Sequence, residues 1–342
     1  MIDFNWKTKG IVLTAPLTKD VETVAEFIDK KLAPAGINLI VMQVRYRYKF
    51  ESHPECTGFD PLDKKDVGLL LDVCKKNGIR LIPKMNLLGH QSGRHAGPHD
   101  GILHGYPGDE PHVRDGLLSA YPEFDETPEI PNAEIPYCRH LCLTNPKLYD
   151  ILFPMTDELI GVFEADGIHV GCDEAFQIGL CPSCRKKSNA DLYAGHINKL
   201  HEHLSANGKK MYIWGDRLLS DEKTGYGMYE SADNGTESAI DKISKDIIIC
   251  DWHYENMLEY KSVDIFAENG FKILLSPWKD VGNAKKFIEY AAAHDTGCID
   301  GILATTWCSS GDLAGHIMYG NPVGWENTRG VAEVLNYLYG IH

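Results

Sequence analysis

The stretch Gly167-Ile168-His169-Val170-Gly171-Cys172-Asp173-Glu174 is a short strand-like run that ends in two adjacent carboxylates. Side chains alternate along a strand, so His169 and Asp173 share one face and Glu174 lies on the other, until the strand relaxes into a loop. A solvated acidic turn is the alternative for an isolated pair of this kind. With a histidine and a glycine directly before the pair, we expect a buried strand that carries both acids into a site.

Seven further apolar runs resemble this one, and segments of helical periodicity lie between them. The eight runs cover residues 10–13, 37–44, 79–83, 167–171, 210–214, 247–252, 271–275 and 301–306. The helical segments cover residues 20–32, 64–76, 145–163, 191–206, 262–269, 284–293 and 331–339. Continuously apolar strands are buried on both faces and therefore parallel. Eight such units predict an α/β fold, a closed (β/α)8 TIM barrel that forms one domain over residues 1–342.

The connection after the third strand is far longer than the others. Residues 87–143 are rich in His, Gly and Pro, and a segment of this length is too long for an ordinary loop. We therefore predict a long loop insertion, a lid or small subdomain over the barrel mouth.

Composition limits the function. The formal net charge is −15, which argues against nucleic acid and anionic membranes as partners. No apolar run is long enough to span a membrane, and the first residues lack the layout of a signal peptide, although a removed leader stays open. Ten cysteines are too few for a disulfide scaffold and favour a reducing, cytoplasmic location. No cofactor is expected.

Active sites of such barrels form at the C-terminal ends of the strands. Tryptophans occur at four of these ends, after the acid pair in the chain: Trp214, Trp252, Trp278 and Trp307. A single one of them reads as core, but four at one rim, with Asp216 beside the first, suit the apolar faces and hydroxyl edges of a sugar ring. The rim is therefore predicted to bind carbohydrate.

The chain resembles glycoside hydrolase family 20, the β-N-acetylhexosaminidases. His169 to Glu174 is similar to the family's His-x-Gly-Gly-Asp-Glu motif, with Cys172 at the second glycine, and the resemblance extends to Gly89-His90. It implies a retaining, exo-acting enzyme for substrates with a terminal N-acetylhexosamine. The substrate's own 2-acetamido group is then the nucleophile, Glu174 the general acid/base, Asp173 the residue that orients the acetamido group, and His169 a support beneath them.

The chain also departs from that family. The arginine usual at the end of the first strand is absent from Leu13-Thr14-Ala15-Pro16, and the tyrosine usual after the seventh strand is absent from Pro277-Trp278-Lys279-Asp280. The Trp-x-Glu pattern after the eighth strand is replaced by Trp307-Cys308-Ser309. Substrate-binding residues are thus expected at His90, His169, Trp214, Asp216, Trp252, Trp278 and Trp307, in a pocket with atypical walls.

Two other functions remain open. One is a glycosidase of the two-carboxylate type with a protein nucleophile, for which Asp216, Asp251 and Asp280 are candidates. The other is a barrel that binds carbohydrate without hydrolysis. Calorimetric sugar binding without turnover would identify the second.

The cysteines offer a further alternative. Cys181-Pro182-Ser183-Cys184 follows the acid pair, and Cys138 and Cys142 could lie on the same rim. Four thiolates can hold a structural zinc ion, but a CxxC pair is equally compatible with a redox pair or a disulfide, and the Cys138/Cys142 spacing is not that of a zinc knuckle. We expect no metal in the catalytic centre.

Overall fold

Eight parallel strands close into a barrel in the computed structural model, which describes residues 6–92, 116–131, 134–135 and 137–342. Each strand pairs with its neighbours in the chain, and β1 pairs with β8. The strands are β1 (Thr8–Thr14), β2 (Leu39–Gln43), β3 (Arg80–Lys84), β4 (Gly167–His169), β5 (Lys210–Trp214), β6 (Ile248–Trp252), β7 (Lys272–Ser276) and β8 (Ile299–Ala304). The predicted TIM barrel is confirmed, and every strand lies within its predicted run or a few residues from it.

Helices surround the barrel in the order expected of βα units. They are α1 (Val21–Phe27), α2 (Lys64–Lys76), α3 (Gly116–Ala120), α4 (Leu148–Val162), α5 (Asn189–Ala206), α6 (Asp221–Thr224), α7 (Gly227–Glu230), α8 (Lys261–Glu268), α9 (Val281–Ala293), α10 (Ser310–Tyr319) and α11 (Asn327–Tyr339). After α1 the chain continues through a turn of π-helix, Ile28–Leu32. The sequence analysis did not predict α10, because Gly311 and Gly315 dilute its apolar pattern.

Helix α2 shows how the sequence sets these elements. The Asp63 side chain accepts hydrogen bonds from the N–H groups of Lys65 and Asp66, and Asp66 reciprocates by accepting from the Asp63 N–H. This capping box satisfies N–H groups that have no partner within the helix. The buried residues Val67, Leu70, Leu71 and Cys74 then recur at helical spacing and face the barrel.

The strands are covered on both sides. All residues of β2 are buried, and the other strands are exposed only near their first residues or, in β8, at its second residue. Continuous burial is the reason for the unbroken apolar runs in the sequence. It leaves the C-terminal rim as the place where polar side chains of the barrel gather.

The predicted insertion of residues 87–143 lies partly outside the described residues, in 93–115, 132–133 and 136. In its described part, Asp125 and Leu141 form an antiparallel bridge. The buried Arg139 guanidinium forms a 2.7 Å ion pair with Asp125 and donates to the carbonyls of Thr127 and Ile130. This portion is therefore a packed layer with its own buried ion pair.

Among the described residues, none of the helices has the length and apolar character needed to cross a bilayer.

Candidate active site

The chain makes a tight left-handed turn between β4 and the acid pair. Gly171 has φ 70°, and a Cβ there would lie 2.7 Å from Asn86 Oδ1, so only glycine fits. Cys172 at φ 65° and Glu174 at φ 47° adopt the same region, which is unfavourable for residues with a Cβ. The Tyr193 hydroxyl stabilises the turn by donating a 3.0 Å hydrogen bond to the Cys172 carbonyl.

The Glu174 backbone is held on both sides. Its N–H donates to Asp216 Oδ2 at 2.8 Å, and its carbonyl accepts a 3.0 Å hydrogen bond from His140 Nε2. Burial lowers the pKa of His140 to about 4, so the ring is neutral near pH 7 and its Nε2 carries the proton. Two side chains from different segments therefore fix the strained conformation that directs the Glu174 side chain.

His90, which the sequence analysis predicted to bind substrate, lines the cavity and contacts both acids. Its Nε2 lies 3.2 Å from Asp173 Oδ2 and 3.1 Å from Glu174 Oε2. Burial disfavours the charged imidazole, but the charge of Asp173, with Cys138 and the hydrogen bonds to both carboxylates, raises the pKa of His90 well above its ordinary value. Although burial alone would raise it, the pKa of Asp173 is lowered by His90 and Lys84. A cationic His90 beside an anionic Asp173 results.

Asp216 lies behind the acid pair. Its Oδ2 also accepts from Arg217 Nε at 2.7 Å, and its Oδ1 accepts from Trp252 Nε1 at 3.2 Å. Burial raises the pKa of Asp216 to about 6. The charge of Arg217 acts to lower this pKa, and the charge of Asp173 acts to raise it. The sequence analysis assigned this residue to substrate binding, but the structure places both of its oxygens on protein donors and outside the lining of the cavity.

A cavity of about 420 Å³ opens at the acid pair. All four predicted tryptophans line it. The Trp214 and Trp307 rings meet edge to face with centroids 5.6 Å apart, and the Tyr254 ring lies between Trp252 and Trp278 at 4.8 and 5.1 Å. The wall of this cavity is consequently aromatic from β5 round to β8.

His169 lies beneath the cavity. Its ring packs on Trp214 with centroids 4.4 Å apart, and its Nδ1 accepts from the Gly171 N–H. Burial and the nearby Lys84 charge lower the pKa of His169 well below its ordinary value. His169 was predicted to bind substrate, but it is absent from the residues lining the cavity, and its position is that of a support beneath them.

Lys84, Tyr137 and Tyr254 are among the lining residues that the sequence analysis did not predict as site residues. The buried Lys84 Nζ donates to Gln43 Oε1 at 2.9 Å and lies 5.8 and 5.5 Å from the Trp214 and Trp307 ring centroids. Lys84 ends β3, so its position at the rim was a usable signal. Tyr254 lies two residues after β6 and had the same signal, whereas Tyr137 belongs to the insertion and had none.

Tyr137 and Tyr254 direct polar atoms into the cavity region. The Tyr137 hydroxyl hydrogen-bonds the Glu174 carboxylate. The Tyr254 hydroxyl accepts from Trp307 Nε1 at 2.6 Å and lies 3.2 Å from Thr305 Oγ1, whose single proton has the Pro277 carbonyl as a nearer acceptor at 3.0 Å. Trp307 therefore supplies the donor to the Tyr254 oxygen, and the Tyr254 proton is available to Thr305 Oγ1 or to a ligand.

None of the three alternative nucleophiles lines the cavity. Asp280 caps α9 by accepting from the Asn283 N–H, and Asp251 accepts from Ser262 Oγ at 2.7 Å. Asp251 and Glu230 flank His253, and although burial opposes its charge, they raise the pKa of His253 to about 9. Asp251, Glu230 and His253 form a buried network that supports the end of β6.

The predicted cysteine set is only partly brought together. Cys142, Cys181 and Cys184 converge, and their fourth neighbour is Glu126. Cys138 lies elsewhere, because its Sγ accepts from the His90 N–H at 3.2 Å and lies 4.0 Å from His140 Nε2. The two cysteines separate because they lie four residues apart in the insertion and contact different loops.

Comparisons with known proteins agree with this geometry. Lacto-N-biosidase of Bifidobacterium bifidum is 22% identical over 231 residues, which are 63% of this chain and 18% of that protein. The structure of Flavobacterium johnsoniae chitobiase superposes with a TM-score of 0.61 at 19% identity, over 97% of this chain and 48% of that one. The β-N-acetylhexosaminidase of Bacteroides fragilis gives 0.63 at 14% identity, over 98% and 71%.

These structural likenesses establish the barrel, and the chain spans less than half of the first two proteins. The family is shown by a different comparison. The family model described as glycosyl hydrolase family 20, catalytic domain, matches residues 42–308, which include every residue of the acid pair and the aromatic cavity. The chain therefore belongs to glycosyl hydrolase family 20.

Proposed function

We propose that this protein is an exo-acting, retaining β-N-acetylhexosaminidase that uses the 2-acetamido group of its substrate as the nucleophile. The observation that carries the proposal is the convergence of Asp173, Glu174 and His90 at one end of an aromatic cavity. The names of the related chitobiase and β-N-acetylhexosaminidase support the same substrate class.

Asp173 is suited to orient an acetamido group. Its Oδ2 is bound to His90, while its buried Oδ1 has no hydrogen-bond partner among the described residues. A buried carboxylate oxygen is stabilised by an N–H donor, and the acetamido nitrogen supplies one. Because the pKa of Asp173 is lowered, the carboxylate is anionic and also stabilises the positive charge that develops as the oxazolinium ring closes.

Glu174 has the position required of the proton donor. It lies beside Asp173, its backbone is fixed by Asp216 and His140, and Tyr137 and His90 contact its carboxylate. It would protonate the leaving glycosidic oxygen and then accept a proton from the water that opens the oxazolinium ring. The product keeps the β configuration because the anomeric carbon is inverted twice.

Tyr254 is suited to the other end of the acetamido group. The family's usual tyrosine after the seventh strand is absent here, and the Tyr254 hydroxyl, which accepts from Trp307 Nε1, can donate its own proton to Thr305 Oγ1 or to a substrate. A hydrogen bond from it to the acetamido carbonyl would direct that oxygen towards the anomeric carbon. The sugar ring itself would pack on the tryptophans.

Hydrolysis of nitrophenyl N-acetyl-β-glucosaminide and N-acetyl-β-galactosaminide tests the proposal. We expect turnover of at least one of them, a loss of about 10²- to 10⁴-fold in Glu174→Gln, and inhibition by a thiazoline mimic of the oxazoline. Asp280→Asn, which keeps the α9 cap, is the matched control and should retain activity. Sugar binding without turnover on any aryl glycoside would instead identify a carbohydrate-binding barrel.

A further inference from the structure

A cluster of sulfur and oxygen atoms lies between the insertion and the loop that follows the acid pair. The four side chains are Glu126, Cys142, Cys181 and Cys184, which we call the thiolate cluster, and one ligand atom from each lies within 4.8 Å of the others. We propose that the thiolate cluster binds one zinc ion, which pins the loop after Glu174 to the insertion. This site is separate from the acid pair and needs no assumption about hydrolysis.

The distances fit tetrahedral coordination. Cys142 Sγ lies 3.6 Å from both Cys181 Sγ and Cys184 Sγ, and Cys184 Sγ lies 3.2 Å from Glu126 Oε2. In a tetrahedral zinc site with Zn–S bonds of about 2.3 Å, two sulfurs lie about 3.8 Å apart, and a sulfur and a carboxylate oxygen about 3.5 Å apart. Three of the six ligand–ligand distances are therefore close to those of a zinc site, and the other three are no longer than 4.8 Å.

The surroundings orient the ligands. Glu126 Oε1 accepts from the N–H groups of Leu180 and Cys181 at 2.7 and 2.9 Å, which leaves Oε2 facing the thiols. The Cys184 N–H donates to Cys181 Sγ at 3.2 Å. Backbone N–H groups that contact thiolates and carboxylates hold metal ligands in place and compensate their charge.

A disulfide explains the cluster less well. The sulfurs are 3.6 Å apart, whereas a disulfide bond is about 2.05 Å long, and it would join only two of the three. The third thiol would then remain beside the buried Glu126 carboxylate with neither a metal nor a disulfide partner. A divalent ion engages all four groups at once. Thiolate ligands in this arrangement select zinc over calcium or magnesium.

The ion would act on the Glu174 backbone through His140. The Glu126 N–H donates to the His140 carbonyl at 3.0 Å, and His140 Nε2 binds the Glu174 carbonyl. The Cys142 N–H likewise donates to the Phe124 carbonyl at 2.7 Å. Zinc would thus join two neighbouring segments of the insertion to the loop at Cys181 and Cys184. Binding displaces the thiol protons, so zinc affinity should fall at low pH.

Elemental analysis of the protein, purified from cells grown with added zinc, tests the proposal without any substrate. We expect one zinc ion per chain, and after exchange for cobalt(II) the visible bands of a tetrahedral thiolate site. Cys142→Ser and Cys184→Ser should lose the ion, and Glu126→Gln should weaken binding by more than about tenfold. Cys298→Ser, a buried cysteine outside the cluster, and Cys138→Ser should keep it.

Three results would overturn the proposal. The first is a wild-type chain without zinc, both as purified and after incubation with the metal. The second is a mass lower by two hydrogen atoms, with Cys142 assigned to a disulfide, in the protein as purified. The third is loss of zinc in Cys138→Ser together with its retention in Glu126→Gln. Since metal content is read without hydrolysis, failure here is distinguishable from failure of the proposed glycosidase activity.

Discussion

The backbone N–H of Glu174 donates a 2.8 Å hydrogen bond to the Asp216 carboxylate, so a residue at the end of β5 fixes the position of the acid after β4. The same oxygen binds the Arg217 guanidinium, and both side chains are buried. The orientation of the proposed proton donor thus depends on a buried ion pair from the neighbouring strand.

Asp216→Asn should destabilise the protein and slow turnover. The amide group of the introduced asparagine would present N–H donors to neighbouring groups that are themselves donors. The change also removes the negative charge that pairs with Arg217, which should lower the free energy of unfolding by about 3–5 kcal/mol. Urea denaturation with kcat measurement checks both effects. Asp246→Asn, an exposed partner of His201, is the control and should change stability by less than about 1 kcal/mol.

Asp173→Asn should reduce kcat on an N-acetyl-β-glucosaminide by about 10²- to 10³-fold, because the anionic carboxylate is the group that stabilises the oxazolinium charge. Stopped assays at saturating substrate measure the loss. An unchanged kcat would rule out the orienting role of Asp173. Asp280→Asn serves again as the comparison, since it removes a carboxylate from the same rim.

The stabilising effect of His90 should depend on pH. The pKa of His90 is raised in the folded state, so its contribution is full below the unfolded value of about 6.5 and is lost as pH rises through the folded value. The pKa of Asp173 is lowered, so its contribution is full above about 3.9 and is lost as pH falls through the folded value.

The difference in free energy of unfolding between wild type and His90→Gln should therefore be largest between about pH 4 and 6.5. It should shrink on either side of that window. Chemical denaturation at a series of pH values gives the curve, and the same series for His201→Gln gives the contribution of a histidine remote from the acid pair. A pH-independent difference would contradict the ion pair of His90 with Asp173.

Tyr254→Phe should weaken binding of N-acetylglucosamine and lower kcat/KM by about tenfold, the equivalent of one hydrogen bond of about 1–1.5 kcal/mol. The same change leaves the Trp307 N–H without its acceptor. Calorimetry and initial rates measure the two effects. Tyr290→Phe is the control. It removes a hydroxyl that donates to Asp264, and since neither residue lines the cavity, both quantities should stay unchanged.

Arg139→Met should destabilise the insertion by about 3–5 kcal/mol, because it removes the positive charge paired with the buried Asp125 carboxylate. Limited proteolysis of the insertion and thermal unfolding provide the measurements. The double variant Asp125→Leu/Arg139→Met removes both charges and should recover part of the loss. Equal stability of the single and double variants would show that the ion pair is not the cause.

The barrel was predictable because each strand is buried on both faces and several helices end at a clear stop just before the next strand. Residues such as Gly36, Gly78 and Gly270, all with positive φ, close one helix and permit the next strand to begin at once. The tryptophans at the rim were predictable for the same reason. They follow strands whose position in the chain was already clear, and all four line the cavity.

Several groups that the sequence analysis missed come from segments without periodicity, unlike Lys84 at the end of β3. His140 and Tyr137 lie in the insertion, where no strand or helix pattern relates their numbers to their positions in space. Glu126 precedes Cys142 by a stretch of irregular chain, and an acidic residue in such a segment is usually exposed. Cys138 was grouped with the other cysteines by proximity in sequence, but a buried contact with His90 takes it elsewhere.

The left-handed turn from Gly171 to Glu174 has a consequence for enzyme design. Where the two carboxylates point is determined by main-chain torsions, and these depend on Asn86, Tyr193 and Asp216 from three other segments. A designer who transplanted only the two acids onto another barrel would obtain an extended strand end that presents them on opposite sides. A transferable unit must include the glycine and the residues that hold the turn.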